Sequence, residues 1–499
     1  MKVRFVTLGC KLNFAESSAL GKELLLRGHQ RASLNEVPDV CVVNTCSVTD
    51  AADHKDRQTI NQLHRKYPNA IIIVTGCYAQ LQPQQIAKIE GVDYVLGQNE
   101  KYEIPKLVAT LESDAAKAAI GRAEPYGILD ATLLDKEEMR REGERVRVGA
   151  IREVDEFHGV HSADDRTRCF IKVQDGCNYF CTYCTIPYAR GKSRNPKISE
   201  VVEDAKKALE QGAKELIITG VNIGDFGRST GERFIELLRA LDRLETEKTT
   251  QSDLINDNID NIALESTPSS ATQENENDLG ERREGENGKV KGEEAREYRV
   301  RISSCEPNLL TDEIIDFVAQ SKHFAPHFHI PLQSGSNEVL KIMGRRYTRE
   351  LFADRVKHIK EMMPHAFIGV DCMVGVRGET QEYWEDYLAF IKGLDVSQLH
   401  VFTYSERANT RMLEMDLCVV PQSERKRRSK ILHALSEEKT KAFYAKHADR
   451  KTVVLWESKK EGDKMAGFTD NYIKVHAPYD KAKVNTFEVI RRGGDRQEN

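Results

Sequence analysis

Twice along this chain, short β-branched runs alternate with stretches of helical spacing, and that repeated alternation restricts the fold more than any single motif does. In the first block, residues 3–8, 40–44 and 71–75 predict strands, with 92–96 as a further one, and residues 17–27 and 53–66 carry helical periodicity between them. Strands separated by helices are parallel strands joined by crossovers, so residues 1–120 are expected to form a small parallel-sheet α/β domain. The second block supplies strand-like runs at 169–173, 215–219, 299–303, 327–330, 367–373 and 399–403, separated by helical stretches such as 201–210 and 349–363. Six successive βα units fit a curved, open parallel barrel, a partial (β/α)6 unit over residues 166–425, with its active site over the carboxyl ends of the strands.

Residues 121–165 lose periodicity and read as a linker. The segment 246–296 is rich in Asn, Glu, Ser, Lys and Gly and cannot bury enough apolar surface to offset its ordering entropy, so it reads as a disordered insertion in the barrel. A basic helical run at 426–448 connects to residues 449–499, whose short strands and Gly and Asn turns suggest a small β-barrel. The formal net charge of -5 gives no general attraction to polyanions, so a nucleic-acid partner has to be met by local basic patches. The 11 cysteines sit in a chain with no leader-like segment and no run of about 18 apolar residues. That combination points to reduced thiols, a cytoplasmic location and no membrane partner.

The thiols form two patterned sets. Cys177, Cys181 and Cys184 follow the predicted strand at 169–173 with the spacing CxxxCxxC. Three thiolates on one loop can hold three irons of a [4Fe-4S] cubane and leave the fourth iron without a protein ligand. S-adenosylmethionine can chelate that iron, and an electron passed into its sulfonium releases a 5'-deoxyadenosyl radical. Structural zinc is the competing reading, but zinc wants four closed ligands, so Cys169 or Cys305 would have to complete an unusual set. Cys10, Cys46 and Cys77 are far apart in sequence, yet each lies just beyond a predicted strand. Parallel strands finish on one edge of their sheet, so these three can converge on a second cluster; separate burial of each is the alternative. Gly9 and Gly76 would let the backbone approach such a core closely, whereas Cys41 falls inside its strand and reads as packing. A second cluster with a vacant iron suggests different work, such as holding sulfur for insertion.

With both triads in place, the chain resembles the radical S-adenosylmethionine methylthiotransferase family. TLGCKLN (7–13), NTCSVTDAAD (44–53) and VTGCYAQ (74–80) look like motifs of its tRNA threonylcarbamoyladenosine branch. QDGCNYFCTYCTIPYARGKSR (174–194) is similar to the family's radical motif, HIPLQSGS (329–336) to a barrel signature, and GFTDNYIKV (467–475) to the TRAM domain, a small RNA-binding β-barrel. The resemblance implies an enzyme with two [4Fe-4S] clusters. The N-terminal one carries sulfur, and the barrel one cleaves S-adenosylmethionine. One cofactor molecule gives a methyl group; another gives the radical that removes hydrogen from carbon 2 of an adenine beside the anticodon. It also implies the tRNA anticodon stem-loop as partner, an unidentified electron donor, and no DNA partner. Cofactor contacts are implied for Ser304, Glu306 and Gln333. The family's Gly-Phe-Pro-Gly-Glu stretch reads Gly375-Val376-Arg377-Gly378-Glu379 here.

Several residues keep two readings. Tyr183 can pack against adenine or fill the barrel mouth, and Arg190 and Arg194 can pair with a carboxylate or phosphate or stay solvated. Arg425, Lys426, Arg427, Arg428 and Lys430 suit RNA or a solvated helix face. Phe468 and Tyr472 can stack on bases or fill a small core. The competing functions are methylthiolation of a ribosomal protein side chain and a noncatalytic iron-sulfur protein that binds RNA.

Overall fold

A computed structural model describes residues 1–33, 35–121, 145–162, 167–244 and 297–491. Most of the expected linker and the whole expected insertion at 246–296 lie outside the described residues.

The N-terminal unit runs β1 (Lys2–Thr7), α1 (Lys11–Leu26), β2 (Gln30–Arg31), β3 (Val40–Thr45), α2 (Asp50–Lys66), β4 (Ile71–Gly76), α3 (Cys77–Leu81), α4 (Pro83–Ala87), β5 (Val92–Leu96), α5 (Ile104–Gly121) and β6 (Val146–Arg147). Its strands pair in parallel in the order β2-β1-β3-β4-β5-β6. Every residue of β3 and β4 is buried. Alternate side chains point to opposite faces, so Val40, Val42, Ile71 and Ile73 enter the core under α1 and α5, while Cys41, Val43, Ile72 and Val74 enter the one under α2. Cys41 is packing, as its place in the strand predicts. Helix α1 begins at Lys11, six residues before the periodicity does, because its first turns bury Asn13, Glu16 and Ser17 along with Leu12 and Ala15, which blurs the apolar stripe.

The barrel unit comprises β7 (Arg168–Lys172), α6 (Ile186–Arg190), α7 (Ile198–Glu210), β8 (Glu215–Thr219), α8 (Phe234–Asp242), β9 (Arg299–Ile302), α9 (Asp312–Gln320), β10 (His327–Gln333), α10 (Asn337–Ile342), α11 (Arg349–Met362), β11 (Phe367–Val374), α12 (Gln381–Gly393) and β12 (Gln398–Thr403). Two parallel sheets, β7-β8-β9 and β10-β11-β12, are linked by the parallel bridge Ser304–His329. One face of these strands, with Ile171, Leu216, Ile218, Val300, Ile330 and Val370, packs under the helices in one core. Alternation therefore turns Glu215, Arg301, His329, Asp371 and His400 toward the lumen. A filled barrel stacks apolar layers; a lumen lined with charge is a chamber for a polar ligand.

Helix α13 (Gln422–Lys446) covers the edge of β12. The Ser436 hydroxyl accepts from the Leu399 amide and donates to the Leu399 carbonyl, both at 2.9 Å, which satisfies an edge that would otherwise invite pairing. The last unit, β13 (Lys451–Glu461), β14 (Lys464–Thr469), β15 (Lys474–Pro478) and β16 (Phe487–Arg491), is a curled antiparallel half-barrel in the order β15-β14-β13-β16. It caps the amino-terminal end of the barrel strands. Arg168 sits over the Phe468 ring at 5.2 Å and Arg301 over Tyr472 at 4.7 Å, and Arg299 donates to the Phe468 carbonyl at 3.4 Å. Phe468 and Tyr472 stack on each other, with centroids 4.9 Å apart. They are engaged with the barrel floor, so the base-stacking reading of this pair gives way to an intramolecular one.

Candidate cluster and cofactor chamber

The ends of β1, β3 and β4 bring the first triad together. Cys10 is the N-cap of α1, Cys46 follows β3, and Cys77 opens α3 directly after β4. Asn13 ties two of these ends, its amide nitrogen donating to the Leu8 and Thr45 carbonyls at 2.9 Å each. The thiols are close enough to raise one another: burial, then Cys77 and Cys10, push Cys46 up to about 12, and burial likewise raises Cys77. The Gln98 side-chain nitrogen donates to the Cys77 sulfur at 3.2 Å.

Gly9 and Gly76 both hold φ near +101°. A Cβ on Gly76 would lie 2.4 Å from the Thr45 carbonyl, in a backbone region that only glycine occupies easily. Gly76→Ala is therefore expected to cost at least about 1–3 kcal/mol and to displace Cys46 from Cys77. The checks are a lower melting temperature together with lower iron per chain; unchanged iron would mean that the close approach does not matter to the thiols.

The second triad sits on the loop after β7. Gln174 braces this loop from beneath, accepting from the Val221 and Asn222 amides at 3.0 and 2.7 Å and donating to the Gly176 carbonyl at 2.7 Å. Burial raises Cys177 to about 11 and Cys184 to about 12, with the neighbouring thiols adding to it. Two donors reach the sulfurs: the Tyr179 amide to Cys177 at 3.4 Å, and the Arg345 guanidinium to Cys181 at 3.3 Å. Arg345 also pairs with Glu306 and approaches the Tyr183 hydroxyl at 3.4 Å.

Each donor set fits an iron-sulfur cluster. Three close thiolates in low dielectric repel one another and stay charged only against a cationic core, and N–H donors to sulfur are what such clusters receive. Zinc fits poorly. Cys169 and Cys305 lie in the apolar core, 1% and 2% exposed, so neither supplies a fourth thiol, and among the described residues no three His, Cys, Asp or Glu side chains are placed to hold one ion.

A cavity of about 190 Å³ lies between the triads. Val48 and Thr49 line it from beside Cys46, Tyr183 and Cys184 from the barrel loop, and Gln333, Asp371 and Phe402 from the strand ends. Gln333 has φ +62° at a register shift in β10, and its side-chain oxygen is buried with no protein partner. Strain and an open acceptor at a cavity wall mark a ligand-facing residue. Of the other implied contacts, Ser304 is half-buried at its bridge to His329, and Glu306 is held by Arg345 with burial raising its carboxyl. A larger cavity, about 600 Å³, lies beside β1, lined by Arg4 and Tyr67 among others, and no cysteine lines it.

Buried charge fixes the two units to each other. Arg190 binds Glu16 at 3.1 and 3.2 Å and Asp175 at 3.0 Å, while Lys101 and Lys172 reach Glu16 at 2.5 and 3.1 Å. Arg194 pairs with Asp175 at 3.2 Å. Burial alone would raise the Glu16 carboxyl, but Arg190, Lys101 and Lys172 outweigh it and hold the group below the usual carboxylate range. A second contact joins the units, where Arg407 binds Asp53 at 2.7 Å, Ser47 at 2.6 Å and Asp50 at 3.0 Å. Arg345, Gln98, Arg407 and Glu16 contact the cysteines or join the two units, and motif reading misses them. The only signal in sequence is the failure of apolar periodicity at the start of α1.

Two family models match the chain: Uncharacterized protein family UPF0004 over residues 2–97, and Radical SAM superfamily over residues 171–391. The Threonylcarbamoyladenosine tRNA methylthiotransferase MtaB of Bacillus subtilis (strain 168) is 32% identical over 478 residues, which cover 95% of this chain and 89% of that one. The chain belongs to the radical SAM tRNA methylthiotransferase family. The MtaB of Aquifex aeolicus (strain VF5) is also 32% identical, over 95% of this chain and 96% of its own. The tRNA-2-methylthio-N(6)-dimethylallyladenosine synthase of Pelotomaculum thermopropionicum is 28% identical over 83% of this chain and 77% of its own. As a radical SAM methylthiotransferase, the chain is an enzyme whose cofactors are S-adenosylmethionine and two [4Fe-4S] clusters. No helix among the described residues is long and apolar enough to cross a membrane.

Proposed function

We propose that this methylthiotransferase modifies carbon 2 of threonylcarbamoyladenosine beside the anticodon of tRNA, with Cys177, Cys181 and Cys184 holding one cluster and Cys10, Cys46 and Cys77 the other. The cavity shared by the two cysteine-bearing units carries the reading: one small space is walled by Cys184 of the barrel loop and by Val48 and Thr49, two and three residues after Cys46. When bound, the barrel cluster would supply the electron that cleaves S-adenosylmethionine, and the N-terminal cluster would supply the sulfur group. The chain's own residues do the positioning. Gln333 offers an acceptor to a ligand, and Tyr183 closes the cavity wall. Glu16 and Arg407 hold the two units at a fixed separation. The similarity to two MtaB relatives favours the threonylcarbamoyl substituent.

For RNA, the basic run divides. Arg425 donates to the Val420 and Tyr404 carbonyls and Arg428 pairs with buried Glu379, which also accepts from the Gly375 amide, so the altered 375–379 loop keeps its internal bracing. Lys426, Arg427 and Lys430 stay exposed beside the terminal half-barrel, where Lys459, Lys464 and Lys481 are also exposed. These are the contacts we assign to phosphate, so binding should weaken with salt.

Mass spectrometry of tRNA nucleosides from cells lacking the protein tests the reading. Loss of the 2-methylthio form with accumulation of threonylcarbamoyladenosine is the expected result. Unchanged tRNA with an altered ribosomal protein would overturn it.

A further inference from the structure

Lys11 directly follows Cys10 at the start of α1, the helix that packs the N-terminal sheet against β7 of the barrel. Among the described residues its side chain has no hydrogen-bond or ion-pair partner, and it remains accessible. Arg301, Arg168, Glu215 and Asp371 are close enough to act on its charge, and it acts in turn on His327 and His400. Those six residues come one from each of β7 to β12 and from their inward face, and Phe14, one turn along α1 from Lys11, meets Phe170 on the inward face of β7 with ring centroids 5.8 Å apart, so the ammonium projects into the lumen. The nearby carboxylates are already engaged. Glu215 binds Arg299 and Arg301, and an Asp371 oxygen lies 2.9 Å from the His329 Nε2. An accessible cation that faces a charge-lined lumen with no protein partner in contact is placed to meet an anionic ligand group.

We propose that Lys11 binds the carboxylate of the threonylcarbamoyl group and so selects an anionic adenine substituent over an apolar one. This rests on threonylcarbamoyladenosine being the substrate, because its side group carries one ionised carboxylate and a dimethylallyl group carries none. The position suits the role, since a residue adjoining Cys10 can hold the substituent while the base faces the sulfur-bearing thiols.

The test uses cluster-loaded enzyme and two anticodon stem-loops, one with threonylcarbamoyladenosine and one with its methyl ester. Wild-type enzyme should lose about 10- to 100-fold in kcat/KM on the ester, the effect of removing a charge-assisted contact. Lys11→Gln should show the same loss on the free acid and no further loss on the ester. Lys11→Arg should keep the preference for the acid. Iron per chain is measured for each variant. Equal losses on both RNAs for Lys11→Gln, with or without lost iron, or no loss on either, overturn the assignment. Wild-type enzyme that leaves the threonylcarbamoyl RNA untouched overturns the substrate reading itself, which is a different result.

Discussion

Alanine at Cys10, Cys46 and Cys77 together is expected to remove about four of about eight irons per chain and to abolish the methylthio product, while reductive release of 5'-deoxyadenosine continues. The physical basis is the separation of the two donor sets. The N-terminal triad draws its ligands from the ends of β1, β3 and β4, whereas the barrel triad sits on one loop braced by Gln174 and Arg345. Emptying one leaves the other's donors in place. The converse set, alanine at Cys177, Cys181 and Cys184, should stop both reactions. Iron and sulfide analysis of anaerobic protein, with nucleoside and deoxyadenosine assays on the same sample, reads all of this. Full methylthiolation by the first variant would sink the two-cluster assignment.

Glu16→Ala should produce the largest loss of stability. The carboxylate is fully buried and accepts from Lys101, Lys172 and Arg190, the last through both of its terminal nitrogens. Removing it leaves these three cations and Arg194 facing Asp175 alone. Breaking a buried pair by deleting one partner costs about 3–5 kcal/mol, so the denaturation midpoint should drop accordingly. The sign of the pH dependence follows from the depressed carboxyl. Its contribution is complete above the unfolded value of about 4.3 and is lost as pH falls from there through the lower folded value, so the gap between wild type and variant should narrow on acidification. A variant as stable as the wild type at neutral pH would show that the network does not hold the units together.

Much of this architecture was legible residue by residue. The ten strands expected in the two α/β blocks appear within three residues of their expected ends, because β-branched runs and the turns that bound them are local. The grouping of the thiols was legible for another reason: parallel strands end on one edge of their sheet, and CxxxCxxC spacing confines three thiols to one loop. The terminal aromatic pair was not, since Phe468 and Tyr472 have the same composition whether they meet a base or the arginines of a barrel floor. The basic run behaves alike, for helical geometry alone turns Arg425 and Arg428 inward and leaves Lys426 and Arg427 outside.

The sequence by itself determined the periodic elements, the two α/β units, and which thiols stand where strands end, all of which depend on neighbours a few residues apart. Only the tertiary structure decided that Glu16 meets Arg190 across 174 positions, that Arg407 reaches Asp53 across 354, and that Lys11 enters the lumen unpaired. Charges act through space and carry no period along the chain, so their partners exist only once the units have docked.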